Sequence, residues 1–265
     1  MSARVVITGA ASGIGAATVE RLRKRGAEVV GLDLTVSDSG IIACDVADQA
    51  SVDSAVAEAI ARLGGLDVLI NCAGIGPVQR AGDRPGPDAA KVMDVNLLGP
   101  WRVMAAALPA LRESRGRVVN VASGLAYVTM PFAPAYCMSK RGLVAYSDAL
   151  RIEHGDEITV TTVYPGYIKT PIHEQSAVHG ISLEGLVPSE RVSDASSTLV
   201  RAALDEPARD LATTRSAAVG YGAMRLLPRA VIDRMTRQRL KRAALRGDFD
   251  DSALAADLRA GLLRP

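Results

Sequence analysis

Tyr136 and Lys140 are four residues apart, Ser123 stands thirteen residues before the tyrosine, and Asn96 lies further upstream. On a helix, positions i and i+4 share a face, so the phenol and the ammonium project together. A free phenol has a pKa of about 10, too high for easy proton exchange at neutral pH. A neighbouring ammonium favours phenolate and brings the group toward the range where general acid–base work is efficient. Tyr136 and Lys140 therefore form a candidate proton-transfer pair, with Ser123 and Asn96 upstream of it. Each has an ordinary alternative. Ser123 could be a strand-end turn residue, Asn96 a helix-interior amide satisfied by backbone, and Tyr136 and Lys140 solvated partners.

A second constellation lies near the start: Thr8-Gly9-Ala10-Ala11-Ser12-Gly13-Ile14-Gly15, between an apolar run and a helical pattern. Glycine lets backbone approach a pyrophosphate, and the free N–H groups of a helix start face negative charge. The spacing is G-x3-G-x-G, so Gly9, Ser12, Gly13, Ile14 and Gly15 are candidate dinucleotide contacts. Asp33 follows eighteen residues after Gly15, where a carboxylate accepts hydrogen bonds from adenosine ribose hydroxyls. A 2′-phosphate would meet like charge there. Leu34 and Thr35 follow, and Ser12 is not basic, so the pattern favours NAD over NADP. Asp45 and Val46 end the third strand; Asp45 could contact the adenine edge, and turn chemistry is equally expected of it. Asn71, Ala73 and Gly74 end the fourth, where small residues let a cofactor lie close to the strand ends.

The elements that must hold these groups are legible as short β-branched runs alternating with helical stretches. Strands are predicted at 4–9, 27–33, 41–45, 66–71, 117–122 and 159–164, and helices at 13–25, 48–63, 88–113, 135–154 and about 190–205. Such alternation implies an α/β fold: a Rossmann-type doubly wound parallel sheet in a single domain. Asp48 is placed to cap the second helix and Gly64-Gly65 to close it. Aromatic residues are only 3% of the chain, so Ala, Val, Leu and Ile must fill a sheet buried on both faces. Asp210–Thr214 is a weak strand candidate. Residues 223–246 read as basic helix interrupted by Pro228, with a short helix at 250–262.

Thr8 to Gly15, Asn71 to Gly74, Asn96, Ser123, Tyr136-Cys137-Met138-Ser139-Lys140 and Pro165-Gly166 resemble the successive motifs of the short-chain dehydrogenase/reductase family, in order, across residues 4–205. The resemblance implies an NAD(H)-dependent oxidoreductase interconverting a secondary alcohol and a ketone. It implies Tyr136 as the acid–base group, with Lys140 supporting it and binding the nicotinamide ribose. Ser123 would bond the substrate oxygen, and Asn96 would hold a water linking Lys140 to solvent. Pro165, Gly166, the Ile168 backbone and the Thr170 side chain would wrap the nicotinamide. A homodimer or homotetramer, using the Tyr136 helix and the one near 190–205, is implied as well. Cys72 departs from the pattern, which often has a second Asn there. An NADPH-dependent ketone or 3-oxoacyl reductase and a non-catalytic dinucleotide-binding regulator are the alternative readings.

The substrate envelope is expected from residues 124–134 and a loop at 167–189. Gly124 to Pro134 is strongly apolar without Arg or Lys, which favours an uncharged lipophilic, lipid- or steroid-like substrate. Residues 1–222 form the expected catalytic domain and 223–265 a basic helical extension. Within it, residues 224–246 carry eight bases and one acid, a net +7, against −5 for the rest of the chain. Leu226, Leu227, Val231, Ile232, Met235 and Leu240 allow an apolar helix face opposite the arginines. That face is expected to pack on the body or a second subunit, ahead of peripheral contact with an anionic membrane. Nucleic acid is not an expected partner of an otherwise acidic body. Three cysteines without CxxC spacing read as apolar fillers, and three histidines without ligand spacing as no metal site. A first strand starting at Arg4, and no apolar run of roughly 18 residues, suggest a cytoplasmic protein.

Overall fold

Seven parallel strands form one sheet in the order β3-β2-β1-β4-β5-β6-β9. They are β1 (Arg4–Thr8), β2 (Glu28–Asp33), β3 (Ile41–Ala43), β4 (Val68–Asn71), β5 (Arg117–Val121), β6 (Thr159–Tyr164) and β9 (Asp210–Ala212). A separate two-stranded pair joins β7 (Tyr167–Ile168) to β8 (Ser189–Glu190). This computed structural model describes residues 2–36, 40–170, 172, 179, 189–205 and 208–264. The substrate loop expected at 167–189 therefore falls largely outside the described residues, Pro171 with it.

Strand order reverses between β1 and β4, which places a crevice at the carboxyl ends of those strands. Alternate strand residues face opposite layers, as the pleat requires. Val6, Leu69 and Val118 pack with Val52, Val56, Val103 and Met104 from α2 (Gln49–Leu63) and α4 (Gly99–Ser114). Val5, Ile7, Val68, Ile70 and Val119 pack with Val19 and Leu22 of α1 (Gly13–Lys24) and Leu199 and Val200 of α6 (Val192–Leu204). The α2 punctuation is as expected: the Asp48 carboxylate accepts from Ala50 and Ser51 N–H, and Gly64 closes the helix at φ 67°.

Two departures have physical causes. The helix expected at 88–113 is α3 (Pro87–Met93), a π-helical turn at Asp94–Leu98, and then α4. The α-helical donor to the Asn96 carbonyl would be residue 100, and Pro100 has no N–H, so the ladder widens there. Second, α7 (Arg215–Leu226) precedes the basic stretch as a full helix, started by the Thr214 hydroxyl accepting from Ala217 N–H. Pro228 then separates α7 from α8 (Arg229–Leu245), and α9 (Ala256–Leu263) follows.

The C-terminal helices share a third apolar cluster with the loop after β5. Leu240, Ala243, Ala244, Phe249 and Leu262 pack against Leu125, Met130, Phe132 and Cys137. Of the apolar α7–α8 residues, Ile232 and Leu240 are buried, whereas Leu226, Val231 and Met235 stay exposed. Tyr136 and Lys140 lie on α5 (Pro134–His154), which spans the sheet beside β5 and β6.

Candidate active site

The β1–α1 turn is pressed against the end of β4. Gly9 has φ +70°, and a Cβ there would stand 2.8 Å from Ala73 Cα; a Cβ on Gly15 would overlap the Gly9 carbonyl oxygen at 1.9 Å. Glycine is the residue that fits such an approach. The Thr8 hydroxyl accepts from Cys72 and Ala73 N–H, both at 3.1 Å, and so staples the two strand ends. Ser12 is the N-cap residue of α1 and makes no side-chain capping bond, leaving the first-turn N–H groups open toward the cleft.

Asp33 Oδ2 accepts from Ala11 N–H at 2.9 Å and Oδ1 from Thr35 N–H at 3.0 Å. Two of roughly four acceptor positions are used, so the carboxylate steadies the glycine turn and can still receive hydroxyls. Asp45 Oδ1 accepts from Ala47 N–H at 2.9 Å, the turn chemistry that was one of its two readings, while Asp45 also lines the cleft. A Cβ on Gly13 would lie 3.6 Å from Thr170, which brings the segment after β6 over the turn.

The resulting cleft, of about 350 Å³, is lined by Gly9, Ser12, Gly13, Ile14, Gly15, Asp33, Asp45, Val46, Ala73, Gly74, Ser123, Tyr136, Lys140, Pro165, Gly166, Ile168 and Thr170. Asn71 and Asn96 stand behind this wall. Asn71 Nδ2 donates to Asn120 Oδ1 at 2.9 Å, and Asn120 in turn donates to Ser147, which ties β4 and β5 to α5. Asn96 is fully buried. Its Oδ1 accepts from Ile75 N–H at 2.9 Å and its Nδ2 donates to the Ile75 carbonyl at 2.8 Å. Its Nδ2 also donates to Ser139 Oγ at 3.3 Å, so the amide joins the Ile75 loop to α5.

A second cavity of about 220 Å³ shares Ser123, Tyr136, Pro165 and Gly166 with the cleft. Leu125, Val128, Met130, Met224 and Leu240 give it apolar walls. Ser123 Oγ accepts from Leu125 N–H at 3.1 Å, fixing the hydroxyl while leaving its proton to donate. Burial pushes the Tyr136 phenol up to about 12, with a bond to Ser123 pulling the other way. Burial pushes Lys140 down to about 8. Its Nζ donates to the Val121 carbonyl at 2.9 Å and lies 5.7 Å from the Tyr136 ring centroid. The sequence expectation that the ammonium lowers the phenol is thus outweighed, in the protein alone, by the desolvation both groups share. Cys72 lines the cleft and Cys44 and Cys137 are buried, all as free thiols.

A family profile described as short chain dehydrogenase matches residues 3–179. The chain belongs to the short-chain dehydrogenase family. It is accordingly an oxidoreductase acting on hydroxyl groups of small molecules with a nicotinamide dinucleotide, NAD or NADP. The D-beta-hydroxybutyrate dehydrogenase of Rhizobium meliloti (strain 1021) is 32% identical over 211 residues, covering 71% of this chain and 81% of that protein. The D-threitol dehydrogenase of Mycolicibacterium smegmatis is 32% identical over 204 residues, covering 70% and 78%. A Burkholderia cenocepacia short chain dehydrogenase in complex with NADP superposes with a TM-score of 0.70 at 26% identity, covering 85% of this chain and 95% of that one. The ligand-free aldohexose dehydrogenase of Thermoplasma acidophilum shares the fold, with a TM-score of 0.72 at 22% identity over 81% and 94%.

Chamber residues that sequence reasoning missed come from distant segments: Glu190 on β8, Tyr221 on α7, and Thr236 and Arg239 on α8. Glu190 is buried, accepts Gly166 N–H at 2.7 Å and the Thr214 hydroxyl at 3.1 Å, and also receives the Thr213 hydroxyl. It pins the Pro165–Gly166 turn to the β9–α7 connection. The Tyr221 ring stacks on Tyr127 at 5.1 Å and abuts Gly124, where a Cβ would overlap its hydroxyl. The Thr-Thr before α7 and the small residue after Ser123 were the available signals.

Proposed function

We propose that this short-chain dehydrogenase uses NAD(H) to interconvert a secondary alcohol and a ketone on a lipophilic substrate. The observation that carries this reading is the meeting of the two cavities at Ser123 and Tyr136. A bound oxidised dinucleotide supplies the hydride acceptor and a positive charge beside the phenol. In oxidation, the Tyr136 phenolate would take the proton of the alcohol hydroxyl as the carbinol carbon gives up its hydride. Ser123 donates to the substrate oxygen and so fixes that carbon over the junction. Lys140 favours the phenolate and would pass the proton outward to a water held at Asn96. Reduction runs the same steps in reverse, with the neutral phenol as donor.

Gly9 and the open N–H groups of α1 would receive the pyrophosphate, and Asp33 the adenosine ribose. Asp33 at that position supports NAD. Lys91 lines the same cleft and is the base that an NADP-linked reductase would use. Separate titrations with NADH and NADPH distinguish these: NADH should bind at least about tenfold more tightly, with Asp33→Asn narrowing the gap. Tighter NADPH binding by the wild type overturns the NAD assignment. Self-association through α5 is part of the reading, because Met138, Ala145 and Ile152 recur every seven residues as an exposed apolar stripe.

A further inference from the structure

Among the described residues, Glu190 and Arg239 are the charged side chains lining the substrate chamber, and their situations are opposite. Glu190 is only 8% exposed, and its two oxygens already receive a backbone N–H and two threonine hydroxyls. Its charge is turned onto the Pro165–Gly166 turn and the β9–α7 connection. Arg239 is exposed and makes no ion pair or hydrogen bond among the described residues. Arg225 and Arg246 are engaged, with Asp210 at 2.9 Å and Asp248 at 2.7 Å; what sets Arg239 apart from the unpaired arginines of α8 is its place in the chamber lining.

Thr236 lies three residues before Arg239, shares its side of α8, and also lines the chamber. The surrounding stretch 224–246 holds eight bases and one acid, which favours the approach of an anion. Leu125, Val128 and Met130 give the chamber an apolar wall, and its other polar side chains, among them Ser216 and Tyr221, carry no positive charge. A guanidinium fork and a hydroxyl on one helix face, at one part of an apolar chamber, match a carboxylate in geometry and charge.

We propose that the substrate is an amphipathic hydroxy acid whose carboxylate is received by Arg239 and Thr236. Its apolar chain lies along Leu125, Val128 and Met130, and its carbinol carbon reaches Ser123 and Tyr136. The inference rests on the hydroxyl-oxidising reading of the same chamber. It changes the uncharged substrate expected from residues 124–134, because the base arrives from a helix far downstream.

Calorimetric titration tests the subsite without turnover, using decanoate and decanol as probes and the protein saturated with NADH. Wild type should bind decanoate at least about tenfold more tightly than decanol, the range of a charge-assisted pair. Arg239→Ala should abolish that preference. Arg237→Ala, on the same helix but outside the chamber lining, should keep it. Equal affinities in the wild type, a preference that survives Arg239→Ala, or an equal loss in Arg237→Ala overturns the proposal. Oxidation is then followed for a decanoate hydroxylated on its penultimate carbon and for its methyl ester, the acid being expected to show the lower KM. If decanoate binds through Arg239 and neither compound is oxidised, the hydride-transfer reading fails and the anion subsite stands. If both are oxidised alike and decanoate has no preference, the subsite fails and the enzyme reading stands.

Discussion

Lys140 shows how burying a single charged group makes stability depend on pH. Folded, it titrates at about 8; unfolded, at about 10.4. Below about pH 8 both states hold the proton, and the folded state bears the full cost of keeping it buried, on the order of 3 kcal/mol. Between about pH 8 and 10 the unfolded chain binds more protons, so stability rises with pH. Without dinucleotide, wild type should therefore gain Tm relative to Lys140→Met as pH is raised through that window; a pH-independent difference contradicts the burial argument. Among single residues, Ser123, Tyr136 and Lys140 were legible because their types and spacing already imply one chemistry. Arg239 and Tyr221 were not, since nothing local marks a residue on a basic or glycine-containing helix as part of a chamber wall. For Asn96 the residue was legible and its use was not. Its amide partners, Ile75 and Ser139, are brought to it only by the fold.

At the scale of elements, the strands were readable because both faces are buried, which makes each a continuous apolar run. Their ends were less so: β3 stops at Ala43, two residues before the predicted limit, where Asp45 leaves the ladder for its own turn. The helix α7 escaped notice because Gly220 and Gly222 interrupt its pattern and none of its residues is buried. The glycine turn was recognisable in sequence, and the structure supplies its mechanical reason. Gly9 and Gly26 both have positive φ, at +70° and +81°, but a Cβ meets Ala73 backbone only at Gly9 and nothing within 4 Å at Gly26. Gly26→Ala should cost about 1 kcal/mol of stability and leave dinucleotide affinity intact. Gly9→Ala should cost more and weaken dinucleotide binding by about tenfold or more, as read by thermal melts and NADH titration. Equal effects of the two substitutions would remove the close approach from the account.

Over the whole molecule, the sheet supplies a crevice and the C-terminal helices supply much of a wall. Residues 223–265 were set apart by their charge, and sequence periodicity could not reveal that Leu240 and Phe249 join the cluster holding Leu125 and Met130. Contacts between segments so far apart in the chain leave no local pattern. Among the described residues no helix is long and apolar enough to cross a membrane. The exposed Leu226, Val231 and Met235 flank the chamber rather than line it. What this assembly achieves is the meeting of a dinucleotide cleft and an apolar chamber at one phenol. The most direct measurement follows deuterium from the carbinol carbon of a labelled hydroxydecanoate into the nicotinamide, in wild type and in Tyr136→Phe, with NAD affinity measured alongside. Wild type should transfer the label directly, and Tyr136→Phe should bind NAD normally while losing turnover by about 10²–10⁴-fold or more. Normal turnover in Tyr136→Phe, or reduced nicotinamide formed without the label, would contradict the account.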